Sequence, residues 1–461
     1  MSKLSLLDLA FFVAETEASP KHVAGLLIFK RPPKSKATFA RELYKEFLTH
    51  TEACAPFNQV VRFNGMPHWE TCTDFDLEKH VFYHKLAAGK NERHDLYAFV
   101  AALHEPLLDR SRPMWEVHVI DGLRGGQYAV YQKVHHAVAD GVTLTRWTAD
   151  GLDKTAGDTD LRPMWTIRHG RGGGLRQREV KMETLQVAWQ SVSGASKHFL
   201  GIGRLAAMLL LEGMKLTKNA IALPFATSSH TPLTGQVTSG RQFASASVAL
   251  ERIDQIRAST RSTLNHVALT CLDGALHRYL KDQNVALERP ITIQMPVNLR
   301  QEGDKSAGNK IGIVQVELSA PTDDPYIRLR NIGFSLRNVR SMIDSVAPEA
   351  IASYTLMTGL AGQLIEMLKL SDRLPPLGNT LVSNVPGPKS HLYLKGARLE
   401  ELHPISTLPP SNLLNITLFS YAGNLYFGLI ATAELPNLDK LSEYVGEAFT
   451  ELEETIRVVG Q

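Results

Sequence analysis

The sequence has few cysteines and no excess of charge of either sign. Its three cysteines, Cys54, Cys72 and Cys271, lie far apart and form no CxxC pair, so neither a thiolate zinc site nor a disulfide framework is available. A reducing cytoplasm fits this usage best. Lys and Arg total 50 against 47 Asp and Glu, a formal net charge of +3, which argues against the broad cationic face of a dedicated nucleic-acid-binding protein. We therefore expect no nucleic-acid partner.

Long uninterrupted apolar runs are also missing. The N-terminal apolar stretch is interrupted by Asp8 and followed by Glu15 and Glu17, which is typical of an amphipathic helix and not of a signal peptide. Arg204 and Glu212 bound the apolar stretch between them well below the roughly 20 residues that a membrane-spanning helix needs. We expect no transmembrane segment, so any membrane contact is predicted to be peripheral.

Several common catalytic motifs are absent. The chain has no G-x-S-x-G elbow, no H-E-x-x-H, no G-x-x-x-x-G-K-[ST] and no G-x-G-x-x-G that opens a helix. The sequence therefore lacks the motifs that are characteristic of serine hydrolases, zincins, P-loop proteins and dinucleotide-binding enzymes.

The chain of 461 residues is long enough for two domains or two lobes with one interface, and 44% of it is hydrophobic. Strand and helix patterns alternate in both halves, so we predict a mixed α/β protein. The predicted strands are 23–30, 115–122, 127–136, 242–250, 291–297, 313–319, 380–385, 412–421 and 424–432. The predicted helices are 37–50, 92–108, 251–281, 323–345, 348–370 and 437–457.

A loss of periodicity marks the predicted boundary between the lobes. Residues 154–182 collect Arg and Lys around three consecutive glycines, as flexible basic linkers do, and an apolar helical stretch follows over about 183–222. We therefore divide the chain into an N-terminal lobe (1–153), a connector (154–240) and a C-terminal lobe (241–461).

The most informative motif is His135-His136-x-x-x-Asp140-Gly141, at the end of a predicted strand. Successive side chains on a strand point to opposite faces, so the two histidines cannot both enter one site or bind one metal ion. A turn after His136 brings Asp140 back towards the imidazole, and Gly141 allows a sharp bend before a helix begins. A lone histidine here is more often a packed core residue, but the full pattern favours a general base. A base without a protein nucleophile indicates direct group transfer.

This motif resembles the signature of the CoA-dependent acyltransferase superfamily. Four further segments narrow the resemblance to the bacterial bifunctional wax ester synthase/diacylglycerol acyltransferase family. They are the opening Leu4-Ser5-x-x-Asp8 with Phe12, Glu15 and Pro20-Lys21-His22-Val23; Pro113-Met114-Trp115-Glu116; Pro296-Val297-Asn298-Leu299-Arg300; and Ser383-Asn384-Val385-Pro386-Gly387-Pro388. Two positions depart from the family pattern: Met114 replaces a leucine, and Asn265-His266 replaces an Asn-Asp pair.

The resemblance implies a fold and an activity. The fold would be the two-lobe, chloramphenicol-acetyltransferase-like α/β fold with the active-site tunnel between the lobes. The substrates would be acyl-CoA, a long-chain fatty alcohol and diacylglycerol, with no metal ion or prosthetic group. A cytoplasmic protein on the inner face of the membrane or on lipid inclusions would suit these substrates. The alternatives are a carrier-protein-dependent condensation or polyketide-associated acyltransferase and, more distantly, a lipid-binding protein without activity.

The resemblance also assigns roles to residues. His136 would be the general base, supported by His135 and Gly141. Asp140 would pair with an arginine and hold the loop. Arg300 is our candidate for this arginine, and the alternative is that Arg300 is a solvated surface residue.

Two further groups of residues complete the predicted site. Ser383 and Asn384, before a rigid Pro-Gly-Pro loop, would face the oxyanion or the CoA pantetheine, or would only stiffen the connection. Leu356 and Gly359, on an apolar helix rich in small residues, would line the tunnel for the alkyl chains, unless this helix serves only core packing.

The basic residues 168–181 and the apolar residues 199–216 resemble a membrane-surface element, or are simply solvated.

Overall fold

The structure is a computed structural model that describes residues 2–4, 6–63, 67–87, 92–169, 229–298, 311–346 and 348–459. Arg300, the predicted basic linker beyond residue 169 and the predicted connector helix lie outside these ranges, as does the side chain of Leu356. No helix in the described ranges is both long enough and apolar enough to cross a membrane.

Fifteen strands and nine α-helices are present in these ranges. The strands are β1 (Ser2–Lys3), β2 (His22–Lys30), β3 (Gln59–Arg62), β4 (His68–Thr71), β5 (Val81–Lys85), β6 (Trp115–Asp121), β7 (Gln127–His135), β8 (Arg241–Ala249), β9 (Thr292–Asn298), β10 (Ile311–Glu317), β11 (Thr380–Pro386), β12 (Tyr393–Leu394), β13 (Ala397–Ile405), β14 (Leu414–Tyr421) and β15 (Asn424–Thr432). The helices are α1 (Leu6–Ala14), α2 (Phe39–Phe47), α3 (Glu92–His104), α4 (Gly141–Asp150), α5 (Leu250–Thr260), α6 (Leu264–Asp282), α7 (Pro325–Ser345), α8 (Pro348–Met367) and α9 (Leu438–Val459).

The first large sheet has the order β12-β13-β2-β7-β6-β5. The predicted hairpin is confirmed, because β6 and β7 pair in antiparallel register, with Val119 opposite Val130. Strand β2 lies antiparallel to β7, with His22 opposite His135. Strand β2 is buried on both faces, because consecutive apolar side chains such as Leu26, Leu27 and Ile28 are all buried.

One strand of this sheet comes from the other half of the chain. Strand β13 pairs with β2, although the sequence analysis assigned its residues to the C-terminal lobe and predicted no strand there. The strand contains Pro404 and charged residues at 398, 400 and 401, so it lacks the apolar alternation that marks a strand in the sequence. The two lobes are therefore joined through β13, which belongs to the sheet of the N-terminal lobe. The predicted domain boundaries otherwise stay a prediction.

The second large sheet has the order β10-β9-β11-β14-β15-β8 and carries the remaining predicted strands. Strand β11 is parallel to both of its neighbours, whereas the other pairs are antiparallel. The predicted helix 251–281 is wrong in one respect, because it consists of two helices, α5 and α6. Arg261 adopts a left-handed φ of 55° after α5, and the Thr263 hydroxyl then accepts a hydrogen bond from the His266 N–H and caps α6.

The two large sheets are in close contact where β15 passes β13. A Cβ atom added at Gly428 of β15 would lie 1.9 Å from the carbonyl oxygen of Pro404 in β13, far inside van der Waals contact. Nearby, the Ser245 hydroxyl and the His403 Nδ1 atom are hydrogen-bonded at 2.8 Å across the same junction. Glycine is therefore required at position 428 by the packing of the two sheets.

We predict that Gly428→Ala forces the sheets apart and lowers the free energy of unfolding by about 1–3 kcal/mol, as overpacked cores do. Chemical denaturation of the purified variant measures this change. Gly446→Ala is the matched control, because a Cβ atom at this position of α9 meets nothing within 4 Å. The control should be neutral or up to about 1 kcal/mol more stable, as expected for Gly→Ala in a helix. Equal stability of the two variants would contradict the tight junction.

Candidate active site between the two sheets

The two adjacent histidines point in different directions, as predicted from strand geometry. His135, the last residue of β7, is fully buried, and its ring stacks on Phe12 at 4.7 Å between ring centroids. Its Nδ1 atom accepts a hydrogen bond from the Ala137 N–H at 3.1 Å, and its Nε2 atom lies 3.4 Å from Glu15 Oε1. His135 thus supports the site from behind and does not line the cavity.

Glu15 is the centre of a buried polar cluster behind the site. Burial raises its pKa, but the adjacent imidazole of His135 and the hydrogen bonds from Arg110 outweigh this effect and lower the pKa to about 2. Arg110 Nη2 lies 2.9 Å from Glu15 Oε2, and the Lys21 N–H donates to Oε1 at 3.1 Å. The Lys21 carbonyl in turn accepts the His136 N–H at 2.8 Å. The cluster therefore fixes the backbone from which the His136 side chain projects.

His136 lines the cavity, and its imidazole stacks on Phe11 with the ring centroids 4.2 Å apart and the planes 12° from parallel. Burial lowers the pKa of His136 to about 4, against the opposing charge of Asp140. The imidazole is therefore neutral at physiological pH and can accept a proton, as a general base must. The carboxylate of Asp140 favours the imidazolium that would form.

Asp140 occupies the N-cap of α4, which is a structural role consistent with our prediction. Its carboxylate is fully buried and accepts the Thr143 N–H at 2.7 Å. Gly141 begins α4 and lines the cavity without a positive φ, so the backbone freedom that we expected of it is not used. The pairing of Asp140 with Arg300 stays a prediction, because Arg300 lies outside the described residues.

The cavity has a volume of about 320 Å³ and lies between the two halves of the chain. From the first half it is lined by His136 and Gly141, and from the second half by Gly359, Ser383 and Asn384. Five of the predicted residues thus meet at one apolar cavity, of the size expected for a small-molecule site. No cluster of residues suited to a metal ion occurs in the described ranges.

The second-half residues have identified partners. Ser383 donates its hydroxyl hydrogen to Thr417 Oγ1 at 3.0 Å, and the Asn384 amide donates to the side-chain oxygen of Asn265. His266, where the family pattern has an aspartate, donates from Nε2 to the carbonyl oxygen of Leu329 in α7 at 2.5 Å. The departure at Asn265-His266 therefore keeps the asparagine that orients Asn384 and uses the histidine to pack α6 against α7.

Several residues that line the cavity were missed by sequence analysis, among them Phe11, Lys21 and Gln363. Lys21 appeared only within a resemblance segment, although a lysine directly before a strand that is otherwise buried and apolar is a signal in itself. Its ammonium group is buried, which lowers its pKa to about 8, and donates to Ser19 Oγ at 2.6 Å. Phe11 and Gln363 carry no such signal, because nothing in the sequence distinguishes them from the other residues of their predicted helices.

Two lobes with mixed sheets, a cavity between them and the His-His-x-x-x-Asp-Gly motif at its wall define a protein with the fold of the CoA-dependent acyltransferases. Solved condensation domains of peptide synthetases share this fold; one from the calcium-dependent antibiotic synthetase gives a TM-score of 0.56 at 12% identity over 99% of this chain and 96% of that chain.

Comparison with known families identifies the group more closely. Residues 4–268 match the wax ester synthase/diacylglycerol acyltransferase catalytic domain, and residues 307–453 match the C-terminal domain of the same family. The chain belongs to this family, as the sequence resemblance predicted.

Relatives agree over nearly the whole length. The chain is 30% identical to O-acyltransferase WSD of Acinetobacter baylyi, with 97% of this chain and 96% of the relative covered. It is also 30% identical to a probable diacylglycerol O-acyltransferase of Mycobacterium tuberculosis, with 98% of each chain covered. The solved wax ester synthase/diacylglycerol acyltransferase of Marinobacter aquaeolei gives a TM-score of 0.81 at 29% identity, with 99% of this chain and 100% of that chain covered. The predicted fold is thereby confirmed.

We predict that His136 titrates near pH 4 and that Asp140→Asn lowers this value further, because the variant removes the charge that raises the pKa. Nuclear magnetic resonance of the imidazole signals measures both values. In the unfolded chain His136 should protonate near its ordinary value of 6.5, so it contributes a loss of stability as the pH falls from about 6.5 to 4.

Asp140→Ala serves as the comparison for this experiment. Asparagine is a good N-cap, whereas alanine removes the cap of α4 together with the charge. Asp140→Ala should therefore be about 1 kcal/mol less stable than Asp140→Asn, with a similar His136 titration. A His136 that titrates near 6.5 in the folded wild type would refute the proposed environment.

Proposed function

We propose that this protein transfers a long-chain fatty acyl group from acyl-CoA to a fatty alcohol, which gives a wax ester, and to diacylglycerol, which gives triacylglycerol. The observation that carries the proposal is the neutral imidazole of His136 at the wall of an apolar cavity between the two halves of the chain. The family and the names of the relatives support the choice of donor and acceptors. An apolar cavity also suits alkyl chains, since each buried CH₂ contributes about 0.8 kcal/mol.

The chemistry proceeds by direct transfer. His136 accepts the hydroxyl proton of the acceptor as its oxygen attacks the thioester carbonyl, so that a C–O bond forms and a tetrahedral oxyanion develops. Collapse of this intermediate breaks the C–S bond, and the imidazolium returns its proton to the CoA thiolate. Asp140 stabilises the imidazolium through its negative charge. The thioester is already activated, so the proposed reaction requires no metal ion or prosthetic group.

Asn384 and Ser383 are the proposed residues on the oxyanion or CoA side of the cavity. The hydrogen bond from Asn384 to Asn265 supports this role, because it fixes the orientation of an amide that lines the cavity. A fixed donor stabilises developing charge better than a mobile one, since it needs no reorganisation during the reaction. Arg300 remains the proposed partner of Asp140.

We also propose that the protein meets its substrates at a lipid surface. Fatty alcohols and diacylglycerol reside in membranes or lipid inclusions, and the basic residues 168–181 and apolar residues 199–216 have the composition of a surface-binding element. Apart from Arg168 and His169, these residues lie outside the described ranges, so peripheral association stays a prediction from the sequence.

The central test is an acyl-transfer assay with palmitoyl-CoA and hexadecanol, in which a thiol reagent follows CoA release and chromatography detects the ester. We predict that His136→Ala lowers the rate by about 10²- to 10⁴-fold, the usual contribution of a general base. His94→Ala is the matched control, because His94 is exposed on α3, where it pairs with Asp439. CoA release without ester would indicate a thioesterase, and no release by the wild type would favour carrier-bound donors.

Chain-length selectivity should depend on Gly359 of α8. A Cβ atom added there meets nothing within 4 Å, and the residue lines the cavity, so a larger side chain would occupy space open to an alkyl chain. We predict that Gly359→Leu shifts the preference from hexadecanol towards shorter alcohols, with a loss of about 0.8 kcal/mol for each methylene excluded. Rates over a series of alcohols measure the shift. Gly446→Leu, the same exchange on α9, should leave the preference unchanged, and an unaltered preference in Gly359→Leu would contradict the role of α8.

A further inference from the structure

Gln363 of α8 is a buried amide that the proposed mechanism does not use. Its side chain lines the cavity, only 1% of the residue is exposed, and neither amide atom has a hydrogen-bond partner among the residues that the structure describes. The buried threonines of the same helix differ, since Thr355 and Thr358 donate their hydroxyl hydrogens to the backbone of α8. Buried polar groups are nearly always paired, so this amide indicates a ligand group that enters the cavity.

The wall around Gln363 is formed where α8 packs on residues 406–411. A Cβ atom at Gly362 would lie 3.3 Å from Pro410 Cβ, and Glu366, one helical turn beyond Gln363, accepts the Ser411 N–H at 2.6 Å. Residues 406–410 line the cavity alongside. Residues on either side of Gln363 in α8 thus contact residues 410 and 411, and these contacts hold the Gln363 amide against the cavity.

A second carboxamide lies at the same wall. Asn415 of β14 lines the cavity, is 1% exposed and donates its amide to the carbonyl oxygen of Thr407. Its side-chain oxygen has no partner within the described part of the chain. Hydrogen-bonding capacity is therefore concentrated beside residues 406–411, in a cavity whose walls are otherwise mainly apolar.

The chemistry of the proposed substrates points to the ligand that uses this capacity. The amides of the donor lie in its pantetheine arm, which we have placed on the side of Ser383 and Asn384. Beyond the reacting atoms, the acyl chain of the donor and the chain of a fatty alcohol bring only methylene groups into the cavity. A diacylglycerol brings two ester groups, whose carbonyl oxygens accept hydrogen bonds, and the NH₂ group of Gln363 is a donor. Sites that hydrogen-bond a substrate group discriminate strongly against analogues that lack it.

We propose that Gln363 is a specificity-determining residue, which donates a hydrogen bond to an ester carbonyl of the diacylglycerol acceptor and so favours glycerides over fatty alcohols. This inference rests on the proposed function. Gln363 is not assigned a part in the bond-making steps, which distinguishes it from Asn384.

The test compares two acceptors in variants that keep the size of the side chain but remove the amide. With palmitoyl-CoA as donor, Gln363→Met and Gln363→Leu should lower kcat/KM for dioleoylglycerol about tenfold or more, the effect of one lost hydrogen bond in a dry site, and change that for hexadecanol less than about twofold. The midpoint of thermal unfolding should stay equal or rise, because the amide is unpaired in the fold. A purely structural role would lower it.

Leu360→Met is the matched control, since it changes the apolar wall one turn away without an amide and should move both acceptors together. An equal loss of kcat/KM for both acceptors in the Gln363 variants would place the amide at the reacting atoms and overturn the proposal. Wild-type kcat/KM for both acceptors would overturn it as well. Wild-type protein that forms neither ester would refute the proposed function itself, independently of Gln363.

Discussion

The tight junction between the two sheets is the constraint on which the site depends. Strand β13 pairs with β2 on one side and approaches β15 so closely that only glycine fits at position 428. Because β2 is in register with β7, with His22 opposite His135, the junction also sets the position of the strand that ends at the His-His-x-x-x-Asp-Gly motif. The wall formed by β11 and α8 is attached to the opposite sheet. The width of the cavity is therefore a consequence of sheet packing.

Behind the cavity, a buried ionic cluster fixes the orientation of the two adjacent histidines. Adjacent histidines at a strand end must face opposite ways, and Glu15 holds His135 in the interior while Lys21 accepts the His136 N–H through its backbone. A buried carboxylate would be costly alone, but Arg110 and His135 compensate it. The imidazole of His136 can then project into the cavity, and its burial keeps it neutral. The same burial therefore keeps the imidazole neutral at physiological pH and costs stability as the pH falls below about 6.5.

The parts of this arrangement that the sequence predicted are those encoded locally. The His-His-x-x-x-Asp-Gly motif contains its own strand end, turn and N-cap, so its geometry follows from about seven neighbouring residues. Strand β13 was missed because Pro404 and the charged residues of the strand interrupt the apolar alternation typical of a strand. Pairing with β2 stabilises it nevertheless. The stacking of Phe11 on His136 and the burial of Gln363 depend on contacts between distant segments, which helical periodicity alone does not reveal.

The contrast between the apolar cavity and its few polar groups bears on the choice between the two proposed acceptors. Methylene burial is non-directional and binds any long chain, so the apolar wall by itself does not distinguish a fatty alcohol from a glyceride. Directional groups at defined positions must make that distinction. In the proposed mechanism His136 accepts the hydroxyl proton, whereas Gln363 and Asn415 lie at the wall formed with residues 406–411. If the proposed roles hold, a substitution at Gln363 would change the choice of acceptor without altering the proposed base.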